Sequence, residues 1–230
     1  MEWHINNTVF ESDNINSGLK VSPWVGHRQF AYDLIEFIKP GRVVELGTHY
    51  GCSFFSFLQC CKDHNLNSEI IAIDSWEGDE QAGFYGEEVL DTVKKTINEY
   101  FKNQNGHLIR KYFQDACLDI EDNSIDILHI DGLHTYDAVS RDFQQWLPKL
   151  KENGIILFHD VASKLGYGTN KFWNEIREQY PFHFTFEHSW GLGVLFPKGS
   201  EHYKELMEQN FEDKILIYKY LAEYLSLIHI

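Results

Sequence analysis

Carboxylates and imidazoles stand where two apolar runs of the sequence end. Asp131 and His134 follow the run Ile125 to Ile130, and His159 and Asp160 close the next run. Asp131, His159 and Asp160 offer oxygen and nitrogen ligands for a divalent ion, for example Mg²⁺, which would lower the pKa of a bound hydroxyl. Alternatively, Asp131 or His134 would take a proton directly. Both uses stay open, because imidazole is a poor ligand for Mg²⁺.

A glycine-containing turn and a carboxylate follow the first two apolar runs. Gly47 allows a tight backbone turn beside a ligand, and Gly51 opens a helix without a clashing side chain. The spacing is not the dinucleotide pattern G-x-G-x-x-G, because His49 holds the middle position. Asp74 ends the second run, where a carboxylate accepts hydrogen bonds from both hydroxyls of a ribose and repels a 2′-phosphate. The alternatives are a helix cap for Asp74 and plain packing for Trp76.

The elements that must position these residues alternate between short apolar runs and helical periodicity. Continuous apolar runs are typical of strands in a parallel sheet that helices cover on both faces. The predicted strands of this kind are Val43–Leu46, Ile70–Ile73, His107–Ile109, Ile125–Ile130 and Gly154–Phe158. Helical spacing predicts helices over Pro23–Ile38, Cys52–His64, Glu87–Lys102, Tyr136–Leu150 and Thr169–Gln179. The sequence therefore predicts an α/β protein.

The last part of the sequence breaks this alternation. The runs Phe182–Phe186 and Leu192–Phe196 are separated by five residues, too few for a crossover, so they are predicted to form an antiparallel hairpin. No linker or repeat divides the 230 residues, which predicts one domain over 1–230. Its predicted parts are an N-terminal helical segment (about 1–40), a core (about 41–197), a C-terminal helix (about 201–225) and a tail (227–230).

Charge and cysteine content limit the partners. The chain has 35 acidic and 20 basic residues and a formal net charge of −15, so we expect it to bind neither nucleic acid nor membranes. Its four cysteines lack the spacing of a zinc site or of a disulfide framework, and its N-terminus has no leader pattern. These features predict a cytoplasmic protein and leave a homo-oligomer open.

Taken together, the motifs resemble those of class I S-adenosylmethionine-dependent methyltransferases, and in particular the family-24 branch. The likeness extends over about residues 24–197. The motifs that carry it are Glu45-x-Gly47-x-x-x-Gly51, Asp74-Ser75-Trp76-Glu77-Gly78-Asp79, the run Asp126 to Tyr136, and the run Gly154 to Asp160. Relatives in this branch modify sugars and antibiotic-like natural products.

The resemblance implies a Rossmann-like αβα sandwich with seven strands in the order 3-2-1-4-5-7-6, the seventh antiparallel. In this order strands four and five lie beside strand one, so Asp131 and Asp160 are expected to converge near the sulfonium of the cofactor, S-adenosylmethionine. The residues that the resemblance implies around the cofactor are Glu45, Gly47, Thr48, Gly51, Ser53, Asp74, Ser75, Trp76, Asp115 and Ala116, the last two beside adenine.

The implied activity is O-methylation of a hydroxyl on a small molecule, a sugar or a glycosylated metabolite. Mg²⁺ or another divalent cation is a second expected cofactor, and Asp131 or His134 is the expected catalytic group. The turn between strands six and seven lies at the cofactor's edge of the sheet, so His188 and Trp190 are expected to border the acceptor. Two alternatives are a non-catalytic cofactor-binding module associated with a glycosyltransferase, and a nicotinamide-dependent oxidoreductase, which the absent G-x-G-x-x-G disfavours.

Overall fold

One sheet of seven strands forms the centre of the computed structural model, which describes residues 2–228. The strands are β1 (Arg42–Leu46), β2 (Glu69–Asp74), β3 (Gly106–Arg110), β4 (Ile125–Ile130), β5 (Leu150–His159), β6 (His183–Phe186) and β7 (Leu192–Leu195). Their spatial order is β3-β2-β1-β4-β5-β7-β6, with β1 to β5 parallel and β7 antiparallel to both of its neighbours. The predicted fold class, strand order and closing hairpin are confirmed.

α-Helices connect the strands and cover both faces of the sheet. Within residues 2–228 they are α1 (Arg28–Ile38), α2 (Cys52–Asp63), α3 (Glu87–Thr96), α4 (Phe113–Ala116), α5 (Tyr136–Trp146), α6 (Gly168–Ile176), α7 (Glu201–Met207) and α8 (Phe211–Ile228). Shorter elements are a π-helical turn (Ile97–Phe101), 3₁₀ turns (Glu11–Asn14, Ser17–Val21, Pro23–His27, Cys117–Asp119, Leu147–Lys149) and a two-stranded ribbon (Gly78–Asp79, Gly83–Phe84). None of the helices described is both long and apolar enough to pass through a membrane.

Helices cover both faces of the sheet, so the strands are buried on both sides. Successive side chains of a strand point to opposite faces and therefore enter different layers. Val43 packs in an apolar layer with α1, α2 and α8, whereas Val44 packs on the other side with α5 and α6. The same alternation puts His129 and His159 on the α1 side, where both rings contact Trp24. The imidazoles of His129 and His159 are therefore packed against an aromatic side chain.

The N-terminal part of the chain is less helical than predicted. Helical turns begin only at Glu11, and residues 2–10 have no regular structure. This segment is fixed by Trp3, which is buried and donates its indole N–H to the hydroxyl of Tyr218 (2.8 Å). The predicted start of the first long helix is present as a 3₁₀ turn, where Ser22 Oγ accepts a hydrogen bond from the amide of Trp24 (3.3 Å).

The single helix predicted over 201–225 is wrong, because the chain forms α7 and α8 with a break between them. Asn210 has a φ of +52°, a left-handed conformation that ends a helix, and Phe211 is then buried as α8 begins. Helical periodicity continues through this break in the sequence, so periodicity alone does not reveal it. The predicted tail over 227–230 is helical as far as Ile228, and residues 229–230 lie outside the described residues.

Candidate active site

The carboxyl ends of β1, β2, β4 and β5 open into a cavity of about 830 Å³. Pockets for small ligands range from about 300 to 1,000 Å³, so this one has the size of a small-molecule site. Its walls come from the turns that follow β1 to β5, from the N-terminal segment and from the hairpin turn. The predicted site residues that line it are Gly47, Thr48, Ser53, Asp74, Ser75, Asp131, His134, His159, Asp160 and Trp190.

Gly47 brings the turn after β1 against the backbone of the turn after β4. Its φ is +90°, and a Cβ at this position would lie 2.1 Å from the carbonyl oxygen of Asp131. Its amide donates to the carbonyl of Ile73 (2.9 Å), which ties the turn to β2. Glycine is therefore required here. Gly51, with a φ of +84°, lies outside the cavity, and a side chain there would meet the ring of Phe55, so Gly51 serves the start of α2.

Asp74 holds the turns after β1 and β2 together. Its carboxylate accepts hydrogen bonds from the amides of Thr48 (2.8 Å), His49 (2.9 Å) and Trp76 (2.7 Å). Two of these donors belong to the turn after β1, so one side chain sets the spacing of two strand ends. Asp74 is 7% exposed and lines the cavity, which leaves part of the carboxylate facing a bound ligand.

For the cofactor that the sequence motifs imply, we expect Asp74→Ala to weaken binding of S-adenosylhomocysteine by about 1.5–3 kcal/mol, the range for hydrogen bonds to a charged group. The same change leaves three backbone amides without their acceptor, so the melting temperature should also fall. Titration calorimetry and thermal unfolding measure the two effects. Asp115→Ala is the matched control, since Asp115 is exposed and outside the cavity. Equal affinity of Asp74→Ala and the parent would contradict this role.

Besides Gly51, four more of the predicted cofactor residues do not reach the cavity. Glu45 is fully buried beneath it, and Trp76 is 1% exposed, packs with Val89 and Leu90, and lines no part of it. Ala116 is also in the core, and Asp115 points to solvent. Asp115 and Ala116 are the last two residues of α4, and the helical turn directs their side chains away from the cavity. The residues that line the cavity after β3 are Lys111, Tyr112, Phe113 and Gln114.

Glu45 instead begins a chain of buried hydrogen bonds that ends at the cavity wall. Its Oε2 lies 2.9 Å from Nδ1 of His129, whose Nε2 accepts a hydrogen bond from the indole N–H of Trp24 (3.1 Å). Because Trp24 donates to Nε2, the imidazole proton is on Nδ1 and is donated to Glu45. Trp24 lines the cavity, so this chain fixes one aromatic wall.

His129→Phe should destabilise the protein by about 3–5 kcal/mol, because it leaves the Glu45 carboxylate buried without its partner. The double variant Glu45→Leu/His129→Phe should recover much of that loss, since replacing both members of a buried polar pair with apolar groups is often nearly neutral. Chemical denaturation of both variants checks this. If the double variant is less stable than His129→Phe alone, then the loss in the single variant does not come from breaking the pair of Glu45 and His129.

Asp131, His134, His159 and Asp160 form one ionic cluster at the ends of β4 and β5. Nε2 of His134 lies 2.7 Å from Oδ2 of Asp160 and 3.7 Å from Oδ1 of Asp131. Nδ1 of His159 lies 3.2 Å from Oδ1 of Asp131 and 3.4 Å from Oδ2 of Asp160. The expected convergence of Asp131 and Asp160 is thus present in the structure.

The cluster holds two imidazolium cations against two carboxylates. Burial disfavours charge on His159, but Asp131 and Asp160 outweigh it and raise the pKa of His159 to about 10. For His134 the same carboxylates overcome burial and raise its pKa to about 9. Burial would raise the pKa of Asp131, yet the charge of His159 holds it well below its usual value. At neutral pH, therefore, Asp131 is ionised and His134 already carries its proton.

His159 is not placed as the metal ligand that the sequence suggested. Its Nδ1 donates to Asp131, and its Nε2 lies 3.2 Å from the carbonyl oxygen of Ser189, so both ring nitrogens have acceptors. The group whose ligand atoms all lie within 4.8 Å of one another is Asp131, His134 and Asp160. Oδ1 of Asp160 is buried and has no hydrogen-bond partner among the described residues.

The two hairpin residues have different surroundings. Trp190 lines the cavity and is 39% exposed, and its ring lies 6.2 Å from that of Tyr167, which stacks on His134 at 4.5 Å. His188 does not line the cavity. It stacks on His27 (4.7 Å) in the layer behind, where burial lowers its pKa to about 4. The acceptor role predicted for His188 therefore loses its geometric basis.

Trp24 and Tyr167 are wall residues that sequence reasoning did not identify. Trp24 lies before the first strand, and Tyr167 lies in a loop without periodicity. Neither follows a strand of the sheet directly, so the rule that ligands bind after strands does not point to them. Only the packing of the N-terminal segment and the loop after β5 over the sheet edge brings them to the cavity.

Sequence comparison finds related chains for most of this protein. A model of a family described as a methyltransferase domain, its family 24, matches residues 44–161, just over half of the chain. An uncharacterised protein of Sinorhizobium fredii is 43% identical over 177 residues, which is 76% of this chain. The chain spans 19% of that relative's length, and 50% of the length of a second curated relative.

Solved structures with the same fold include two methyltransferases with bound S-adenosylhomocysteine. The Podospora anserina methyltransferase PaMTH1 has a TM-score of 0.57 at 17% identity, over 75% of this chain and 78% of its own. An O-methyltransferase of Bacillus cereus has a TM-score of 0.57 at 13% identity, over 83% and 92% of the two chains. At this level of identity the likeness is one of fold.

Proposed function

The chain belongs to the class I S-adenosylmethionine-dependent methyltransferases of family 24, and from that premise we propose that it methylates a hydroxyl of a small molecule. The observation that carries this proposal is one cavity that joins the Gly47 turn to the ionic cluster of Asp131 and Asp160. A donor bound along β1 would point its methyl group at the cluster, where an acceptor hydroxyl loses its proton.

In this proposal the cofactor lies across the ends of β2, β1 and β4. Its ribose meets Asp74 and Ser75, and its methionine end meets Thr48 and Ser53. Adenine lies towards α4, between the turn after β4 and the cavity-lining residues Phe113 and Gln114. The sulfonium then faces Asp131 and the wall made by Trp24, and the remaining volume near Tyr167 and Trp190 takes the acceptor.

The reaction needs alignment and one proton acceptor. The acceptor hydroxyl gives its proton to the Asp131 carboxylate, its oxygen attacks the methyl carbon, and the bond from that carbon to sulfur breaks, leaving S-adenosylhomocysteine. A carboxylate with a depressed pKa is a weak base, so holding oxygen, carbon and sulfur in line supplies much of the acceleration. The imidazolium of His134 stabilises the negative charge that develops on the oxygen.

The cluster also fits a divalent cation, which the family implies. Asp131, Asp160 and a His134 that has given up its proton would hold it, and the buried, unpartnered Oδ1 of Asp160 supplies an unused ligand atom. A set of two carboxylates and one imidazole suits Mn²⁺ or Zn²⁺ better than Mg²⁺. A bound ion would lower the pKa of the acceptor hydroxyl. His159 would keep its hydrogen bonds to Asp131 and Ser189.

A sugar or a glycosylated metabolite is the acceptor class we propose, because Trp190 and Tyr167 offer ring faces on which the apolar side of a sugar stacks.

The four free, buried cysteines agree with a reducing, cytoplasmic location. The presence of Asp131 and Asp160 in the cavity argues against a module that only binds the cofactor.

The test is transfer of label from S-adenosylmethionine to a panel of sugars, glycosides and phenols, with Mn²⁺, Zn²⁺, Mg²⁺ or a chelator. We expect labelled product from at least one hydroxylated acceptor. Saturable binding of S-adenosylhomocysteine without transfer to any acceptor would favour the non-catalytic module. Tight binding of NAD in place of S-adenosylhomocysteine would overturn the assignment.

A further inference from the structure

The wall of the cavity contains a buried carboxylate that the proposed reaction does not use. Asp142 on α5 is 2% exposed and lines the cavity. Among residues 2–228 its carboxylate accepts no hydrogen bond, and its ion pair with Nε of the exposed Arg141 spans 3.8 Å. A buried carboxylate without hydrogen bonds destabilises the free protein. A ligand in the cavity that donates a hydrogen bond to this carboxylate would compensate for the cost of burying it.

The position of Asp142 assigns it to one end of the cavity. Gln145, three residues further along α5, accepts a hydrogen bond at its carbonyl from the thiol of Cys117 (3.3 Å), so this side of the helix faces the segment that contains α4. Phe113 at the start of α4 lies against the turn after β4, since a Cβ at Gly132 would be 2.4 Å from its ring. Asp142 therefore lies where adenine lies in the proposed function.

This end of the cavity favours a hydrogen-bond donor on the ligand over an acceptor. Burial raises the pKa of Asp142 to about 6 against the opposing effect of Arg141, so the group is ionised at neutral pH and only accepts hydrogen bonds. On adenine, the exocyclic N6 amine is the donor, whereas N7 is an acceptor. Gln114, which also lines the cavity, has both a donor and an acceptor for the neighbouring ring positions.

We propose that Asp142 is a specificity residue that accepts a hydrogen bond from the N6 amine of the cofactor's adenine. This inference rests on the proposed function and adds to it the group that distinguishes adenine from a 6-oxo purine. A purine with a carbonyl at position 6 would place an oxygen against the carboxylate and leave it unpaired. The residue acts on binding of the donor and takes no part in methyl transfer.

The first test uses the unmodified protein. S-Adenosylhomocysteine and its deaminated analogue, S-inosylhomocysteine, differ at purine position 6 and are titrated by calorimetry. We expect the parent to prefer the adenosyl compound by about 10- to 100-fold, the range for one hydrogen bond to a charged group. If the parent binds neither compound, the proposed function itself fails. If it binds both equally, the function stands and the inference about Asp142 is wrong.

The second test uses Asp142→Asn, which keeps the shape, with Asp137→Asn as the control because Asp137 is an exposed aspartate on the same helix. Asp142→Asn should bind S-adenosylhomocysteine about 10- to 100-fold more weakly and lose most of the preference over the inosyl compound. Asp137→Asn should match the parent in both. Parental affinity and parental preference in Asp142→Asn would overturn the proposal.

Thermal unfolding of the free proteins separates a ligand-binding role from a structural one. Removing a buried charge that accepts no hydrogen bond should raise the melting temperature of free Asp142→Asn above that of the parent, while the shift produced by S-adenosylhomocysteine becomes smaller. A free Asp142→Asn protein that melts below both the parent and Asp137→Asn would show that the carboxylate supports the fold, and would contradict the inference.

Discussion

Asp131→Asn is expected to slow methyl transfer by about 10²–10⁴-fold, the range for loss of a positioned proton acceptor, and to leave the affinity for S-adenosylhomocysteine within about threefold of the parent. The carboxylate follows β4 and pairs with His159, whereas Asp74 and Ser75, the residues proposed to contact the ribose, lie at the end of β2. Asparagine keeps the shape but is neither a base nor an anion. Single-turnover assays with saturating cofactor measure the rate, and calorimetry measures the affinity.

Retained affinity is also the control for folding, because the proposed cofactor site needs the Gly47 turn and Asp74 in place. Metal binding and the effect of a chelator then distinguish two roles for Asp131. If it holds a cation, Asp131→Asn also loses calorimetric binding of Mn²⁺, and a chelator stops the parent. If it acts only as a base, the chelator leaves the parent active. A double variant, Asp131→Asn/His134→Ala, that binds cofactor and still transfers methyl groups at the parental rate would contradict both roles.

Much of the fold could be predicted because its signals are local. Continuous apolar runs in 43–46 and 125–130 indicate buried parallel strands, and the short connection between Phe186 and Leu192 admits only a hairpin. The meeting of Asp131 and Asp160 likewise follows once β4 and β5 are neighbours, since both residues come directly after their strands.

The orientation of individual side chains was less predictable. Glu45 and Gly47 belong to one motif, yet the strand turns Glu45 into the layer beneath, where the distant His129 is its hydrogen-bond partner. The same applies to His159, whose two acceptors come from the turn after β4 and from the hairpin turn at Ser189. Which face a terminal strand residue takes, and what it meets there, depends on segments far apart in the sequence.

Gly47→Ala should be the most disruptive single change on the cofactor side of the cavity. A Cβ at a φ of +90° costs about 1–2 kcal/mol, and overpacking against the Asp131 carbonyl costs about 1–3 kcal/mol more. We therefore expect the free energy of unfolding to fall by about 2–5 kcal/mol. Denaturant titration measures this loss.

The clash should also affect the chemistry, because the atom that Cβ would meet belongs to Asp131. A displacement of about 1 Å at a reacting group can slow a reaction by about 10²-fold, so turnover should fall further than stability alone explains. Gly83→Ala separates the two causes: Gly83 has a φ of +85° but no atom within 4 Å of its Cβ position. It should lose only the about 1–2 kcal/mol of backbone strain and keep parental turnover. The contrary outcome is that Gly47→Ala behaves like Gly83→Ala and keeps parental turnover at a temperature where both are folded. In that case the contact between the Gly47 turn and Asp131 does not set the catalytic geometry.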